Sequence, residues 1–163
     1  MYQRVLALLL LVCLPITASA EVKPYLLGEI GIADTDYDTD YFFDLGGGVQ
    51  LGSFVDLEVA YNRFGDVGPF GTGVSSFSYG ANIGSRASED ARFFFVVGGE
   101  QLKVDGSARV NGFQFKINET STELYGGIGF SFNYGAGLHF RTRILVHDSA
   151  DLLTFSAGFI QTF

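Results

Sequence analysis

Leu153-Thr154-Phe155-Ser156-Ala157-Gly158-Phe159-Ile160-Gln161-Thr162-Phe163 is the stretch that decides the architecture. Side chains alternate along an extended strand, so Leu153, Phe155, Ala157 and Phe159 share one face while Thr154, Ser156, Gly158 and Thr162 share the other. A strand that is fatty on one side and small or polar on the other over about ten residues suits a wall between lipid hydrocarbon and a narrow polar interior. The inverse arrangement, a soluble barrel with the apolar side turned inward around a small ligand, is the alternative reading of the same alternation.

The opposite end of the chain speaks for export. Arg4 precedes an apolar run from Val5 to Leu14, followed by Pro15 and Ala18-Ser19-Ala20, the arrangement of a signal peptide cut before Glu21. The run is shorter than the roughly 20 apolar residues a spanning helix needs. Cys13, the single cysteine, lies inside it, behind Val12 where a lipoprotein signal carries a small residue. The expected mature chain is therefore 163 − 20 = 143 residues, one domain without a thiol, and loss of Arg4 takes the net charge from -8 to -9. Such an acidic balance argues against nucleic acid as a partner. The 22 Gly, 17 Phe and 8 Tyr beside 3 Pro describe a chain rich in strands and turns.

Working back from residues 153–163, seven further runs alternate in the same way. Tyr25 to Ala33 sets Leu26, Gly28, Ile30 and Ile32 against Tyr25, Leu27, Glu29 and Gly31. The second run places Phe43, Leu45, Gly47, Val49 and Leu51 against Asp44, Gly46, Gly48 and Gln50. After a tight link at Gly52-Ser53, the third places Val55, Leu57, Val59 and Tyr61 against Asp56, Glu58, Ala60 and Asn62. The fourth places Phe77, Tyr79, Ala81 and Ile83 against Ser76, Ser78, Gly80 and Asn82. The fifth, Phe93 to Leu102, is apolar on both faces until Glu100. The sixth carries Leu124, Gly126, Ile128, Phe130 and Phe132 outside and Glu123, Tyr125, Gly127, Gly129 and Ser131 inside, then turns at Asn133-Tyr134-Gly135. The seventh faces Leu138, Phe140 and Ile144 outward over His139, Arg141 and Arg143.

Connections between the runs are alternately long and short. Asp34 to Asp40, Arg63 to Gly73, Lys103 to Thr120 and Val146 to Asp151 fall at one end, and the short links at the other, as expected of a transmembrane barrel with both termini in the periplasm. Asn111-Gly112 within the longest connection is a hairpin signal, so its flanking strands are expected to continue beyond the membrane. An unpaired backbone edge is costly in hydrocarbon, which favours closure over an open sheet. With about eight strands the lumen is filled by side chains, and a wide aqueous channel is disfavoured.

Charges assigned to the lumen make the candidate site. Glu29, Asp44, Glu58, Glu100 and Glu123 face Arg141, Arg143 and His139. Buried charges require pairing, so these residues predict a salt-bridge network plugging the barrel, with Glu29 and Glu58 level with Arg141; a gate or ion path is the functional alternative. Asp34, Asp36, Asp38 and Asp40 in the first outer connection form a candidate weak cation site or a solvated acidic tip. Counting from Asp34 puts Thr39 and Leu45 where an EF-hand loop needs Gly and Glu, so that motif fails. No cofactor is implied.

Exposed aromatics, among them Tyr41, Phe43, Tyr61, Phe77, Phe93, Phe95, Phe130, Phe132 and Phe163, concentrate toward the strand ends and read as girdles at the two membrane interfaces. A terminal Phe closing such a strand resembles the assembly signal of bacterial outer-membrane barrels and implies the barrel-assembly machinery as a partner. Together the signal peptide, strand count, connection asymmetry and Phe163 resemble the OmpA-type and OmpX-type barrels of the outer-membrane β-barrel domain family over essentially all 143 expected residues. That resemblance implies an all-β, eight-stranded, up-and-down transmembrane barrel in the bacterial outer membrane. It implies a non-enzymatic surface protein acting through its loops in adhesion, resistance or envelope integrity, among outer-membrane lipid and lipopolysaccharide. His147-Asp148-Ser149 resembles the His-x-Ser of lipid A deacylases, the enzymatic alternative. Here Ala150-Asp151 follow instead of Asn and Ala, and Thr154 to Phe163 hold no carboxylate to orient the imidazole.

Overall fold

A computed structural model describes residues 22–35, 39–65, 73–86, 88, 90–110, 113–148 and 152–163. The expected signal-peptide segment and Cys13 lie outside these residues, as do Asp36, Asp38, Asn111-Gly112, Ser149 and Asp151. Eight strands follow in order: β1 (Val22–Asp34), β2 (Thr39–Leu51), β3 (Val55–Phe64), β4 (Gly73–Arg86), β5 (Ala91–Val110), β6 (Phe113–Gly135), β7 (Leu138–His147) and β8 (Leu152–Thr162). Each pairs antiparallel with its neighbours and β8 returns to β1, for example through Ile30↔Ala157, so the barrel is closed.

The alternation resolves into two faces. Leu26, Ile30, Leu45, Leu57, Val59, Val97 and Leu124 are exposed on the outside, and Leu27, Glu29, Asp44, Glu58, Ala60 and Arg141 are buried within. Ile30 retains 73% of its surface while its neighbour Glu29 retains 3%. This overturns the soluble alternative, which needs the apolar face inside: water would be left against a continuous hydrocarbon band, whereas lipid takes it without cost. Tyr41, Phe43, Tyr61, Phe77 and Phe155 ring one end of that band, and Phe93, Phe95, Phe130, Phe132 and Phe159 ring the other.

Glycine lets bulky rings cross the lumen. Gly48 lies under the Tyr25 ring, and a Cβ there would meet the phenol at 2.6 Å. Tyr125 rests on Gly80 and Gly98 in the same way. A side chain at these positions would push the ring out of the interior, so the small residue and the large one act as a unit.

One connection agrees with the sequence reading and one differs. The ladder of β5 and β6 runs past Lys103↔Thr120 to Val110↔Phe113, as the hairpin signal in the longest connection leads one to expect. Among the described residues no β4 partner accompanies it beyond Gly73↔Asp105, and the pairing of β6 with β7 begins at Tyr125↔His147. The turn after β6 falls later than Asn133-Tyr134-Gly135. A register shift between Asn133 and Gly135 carries the strand on, and the chain reverses at Ala136 (φ 52°) and Gly137 (φ 78°). Gly135 before them is also at positive φ (91°), and positive φ at both loop residues matches the twist of the flanking strands, which the ordinary turn conformation does not.

Candidate functional site

The polar interior is layered along the barrel axis, and the alternation of each strand decides which side chains enter it. Midway sits a cluster drawn from six strands. Arg141 and Arg143 are successive inward residues of β7 and reach across the lumen to Glu29, Asp44 and Glu58 of β1, β2 and β3. Glu58 accepts Nη1 of Arg141 at 2.6 Å and Nη1 of Arg143 at 2.8 Å. Glu29 accepts Nε of Arg141, and accepts Nη2 of Arg143 at 2.7 Å. Asp44 accepts the same Nη2 at 2.6 Å. Neutral donors complete the shell: Tyr25 to Glu58 at 3.0 Å, Asn82 to Glu58 at 3.2 Å and Ser156 to Glu29 at 2.8 Å. Arg141 is 1% exposed. Two guanidiniums thus saturate their forks on three carboxylates, which is the condition for keeping such charges out of water.

Toward the end bearing the termini, Nη1 of Arg92 pairs with Asp56 at 2.5 Å and Nη2 donates to the Phe54 carbonyl at 3.0 Å. A polar cavity of about 120 Å³ opens there, lined by Tyr25, Asp56, Arg92, Ser131 and Thr162. His139 also lines it, with Nε2 3.4 Å from Thr162 Oγ1. Toward the other end, His147 contacts Glu100 through Nδ1 and lies 3.4 Å from Thr154 through Nε2. Phe64 and Tyr125 flank its ring at centroid distances of 6.5 and 5.7 Å. Above them Ala33, Phe42, Phe64, Leu102 and Leu152 form a buried apolar plug. A second cavity of about 20 Å³ lies below the plug, and no residue lines both cavities. The arginine layer stands between them.

The expected single network is therefore divided. Glu29, Glu58, Arg141 and Arg143 meet, joined by Asp44. Glu100 and Glu123 do not reach the arginines: Glu100 takes His147, and Glu123 accepts the Ser121 hydroxyl at 2.8 Å. They stand nearer the outer end of β5 and β6, directly opposite one another in register, and each keeps one buried oxygen without a protein partner. His139 lies at the far end from these acids, because it precedes Arg141 by one inward repeat at the start of β7. Of the acidic tip, Asp34 accepts the Thr39 hydroxyl and Asp40 accepts the Tyr41 amide at 2.6 Å. Among the described residues no group of three or more potential ligands is close enough to hold a metal ion.

Arg92 and His147 belong to no expected lumen set, although the signal is present in the sequence. Arg92 shares the parity of Glu100 along β5, and His147 shares that of Arg141 and Arg143 along β7. The sequence reading places His147 in the Val146 to Asp151 connection, whereas it is the last residue of β7. Its imidazole is 5% exposed and faces the lumen, away from lipid.

A closed eight-stranded wall, apolar outside, ringed by aromatics and internally ion-paired, defines an integral β-barrel of the bacterial outer membrane. The chain belongs to the outer membrane protein beta-barrel domain family, whose sequence profile matches residues 5–160. Among curated proteins none is a sequence match. Solved structures share the fold at low identity. Neisserial surface protein A is 13% identical, with 89% of this chain and 99% of that one aligned at a TM-score of 0.67. The N-terminal β-barrel domain of Pseudomonas aeruginosa OprF is 12% identical, with 89% and 100% aligned at 0.61. Ail, the attachment invasion locus protein of Yersinia pestis, is 15% identical, with 87% and 99% aligned at 0.57.

Proposed function

We infer that this barrel is a non-enzymatic display scaffold, in which a filled lumen holds the wall rigid while the β5–β6 hairpin meets a partner outside the cell in adhesion, resistance or envelope integrity. The observation that carries this reading is the ladder from Lys103↔Thr120 to Val110↔Phe113, which continues after β4 and β7 have ended. Past the last β4 pair, Gly73↔Asp105, the ladder runs from Gly106↔Ile117 to Val110↔Phe113, and at about 3.3 Å per residue this part projects on the order of 16 Å. Beyond Glu123 toward the tip, the β6 backbone has no strand partner on the side away from β5 among the described residues, and such an edge offers amides and carbonyls to an extended segment of another protein. The interior supports the same reading, since ion pairs and an apolar plug occupy the path a solute would take. The attachment for which Ail is named is consistent with this use of the fold.

The test replaces residues 104–119 with Asn-Gly, leaving Lys103 and Thr120 to close the turn. The expected outcome is a barrel that folds, read by heat-modifiable mobility, but loses attachment to host cells or survival in serum. Unchanged attachment, survival and envelope permeability in cells carrying the shortened protein would overturn the reading.

A further inference from the structure

Register places two cations on the lipid-facing side of the outer end. Arg63 of β3 pairs with Ser75 of β4, and Ser75 pairs with Lys103 of β5. Their chain neighbours Asn62, Phe64, Ser76 and Leu102 are buried in the lumen, so all three point outward. Adjacent strands lie about 4.8 Å apart, which brings a guanidinium and an ammonium to either side of one hydroxyl. One inward–outward repeat below, the next outward row is Tyr61, Phe77 and Gln101, where the aromatic girdle begins. The cations therefore stand about 6.6 Å above the girdle, at the level where a lipid's polar head begins.

Beside Arg63 the wall is grooved. Ile30, Ile32, Tyr41, Phe43, Phe155 and Ala157 line a depression of about 670 Å³ whose rim carries Arg63 and Gly65. It lies within the hydrocarbon layer, so its occupant is an acyl chain. Filling it with one lipid tail instead of another changes little apolar surface, and discrimination must come from the head group. Arg63 has no ion-pair or hydrogen-bond partner among the described residues. Lys103 is held by Asp105 at 2.7 Å, with about half of each side chain exposed, and exposed pairs of this kind exchange readily for a better anion.

We propose that Arg63, Ser75 and Lys103 bind a phosphate of lipopolysaccharide, the phosphorylated glycolipid of the outer leaflet, while one of its acyl chains lies in the groove formed by β8, β1 and β2. Arg63 supplies a planar fork, Lys103 a mobile point charge and Ser75 a neutral donor, a set matched to a tetrahedral anion. The site makes no use of the β5–β6 tip, so shortening that hairpin leaves it intact and the two readings stand or fall separately.

The purified full chain in detergent micelles is offered three probes in turn: phosphorylated lipid A, the same lipid A enzymatically dephosphorylated, and phosphatidylglycerol. Retained lipid is counted by native mass spectrometry. The expected result is preferential retention of phosphorylated lipid A by about tenfold or more over both others, lost in the Arg63→Ala, Lys103→Ala double variant. Equal retention of the dephosphorylated form, or of phosphatidylglycerol, would overturn the proposal, the second by reducing the site to general attraction for anionic lipid. Unchanged retention by a folded double variant would overturn it as well. Should that variant fail to fold, the wild-type comparison among the three lipids still decides.

Discussion

Glu58 and Arg141 meet at 2.6 Å from opposite walls of the barrel, separated by 83 residues in the chain and by nothing in space. The same carboxylate receives Arg143, Tyr25 and Asn82, so it is the point at which β1, β3, β4 and β7 are tied together through their interiors. Removing it leaves two guanidiniums short of a partner in a site water does not reach. Breaking such a buried pair costs about 3–5 kcal/mol. Glu58→Gln should therefore lower the urea midpoint of the folded barrel in micelles, and the Glu58→Gln, Arg141→Met double variant should lose less than the two single losses combined. Strict additivity would show that the pair does not act as a unit.

Glu100 and Glu123 make opposite predictions although they face each other. Each keeps one buried oxygen without a protein partner, but Glu100 holds His147, whereas the partner of Glu123 among the described residues is the Ser121 hydroxyl. Like charges directly across a ladder cost a few tenths to about 1 kcal/mol. Glu123→Gln should thus stabilise the barrel by up to about 1 kcal/mol. Glu100→Gln should destabilise it. Urea unfolding of the two variants side by side reads the difference in sign.

Ala136 holds φ at 52° in the β6–β7 turn, a conformation that costs a residue with a Cβ about 1–2 kcal/mol. Ala136→Gly should recover about 1 kcal/mol of that and raise the unfolding midpoint. A lower midpoint would contradict this turn geometry.

Leu57 lies on the lipid face and Glu58 on the lumen face, one residue apart. Leu57→Arg should cost about 2–4 kcal/mol, the range for an arginine at the bilayer midplane. Spin labels give the same contrast without the charge: a label at 57 should be relaxed by lipid-dissolved oxygen and one at 58 should not. The reverse pattern would turn the barrel inside out.

Gly48→Ala should destabilise by about 1–3 kcal/mol, because the new methyl overlaps the Tyr25 ring and the backbone behind it leaves no room to retreat. Near-ultraviolet circular dichroism of the tyrosines, with the urea midpoint, checks this.

Arg92 and His147 show where sequence reading stops. Parity along β5 and β7 tells which face each occupies, but not that Arg92 finds Asp56 or that His147 finds Glu100, partners 36 and 47 residues away. Those meetings depend on strand stagger. Moving a partner by one inward–outward repeat shifts it about 6.6 Å along the axis, more than the reach of a hydrogen bond. For the same reason Glu100 and Glu123, although buried, make no ion pair with Arg141.

Alternation determined that this chain is a set of two-faced strands and which side chains share a face, because lipid and a narrow lumen select opposite chemistries at every second residue; which face looks inward was settled by the burial of Glu29 beside the exposed Ile30. Pairing was decided only in three dimensions: the division of the charges into three layers, the apolar plug above them, the length of the β5–β6 ladder and the outward row of Arg63, Ser75 and Lys103. Each arises from the register between strands, a relation among distant segments that no local pattern encodes, and which the barrel sets once all eight strands close upon one another.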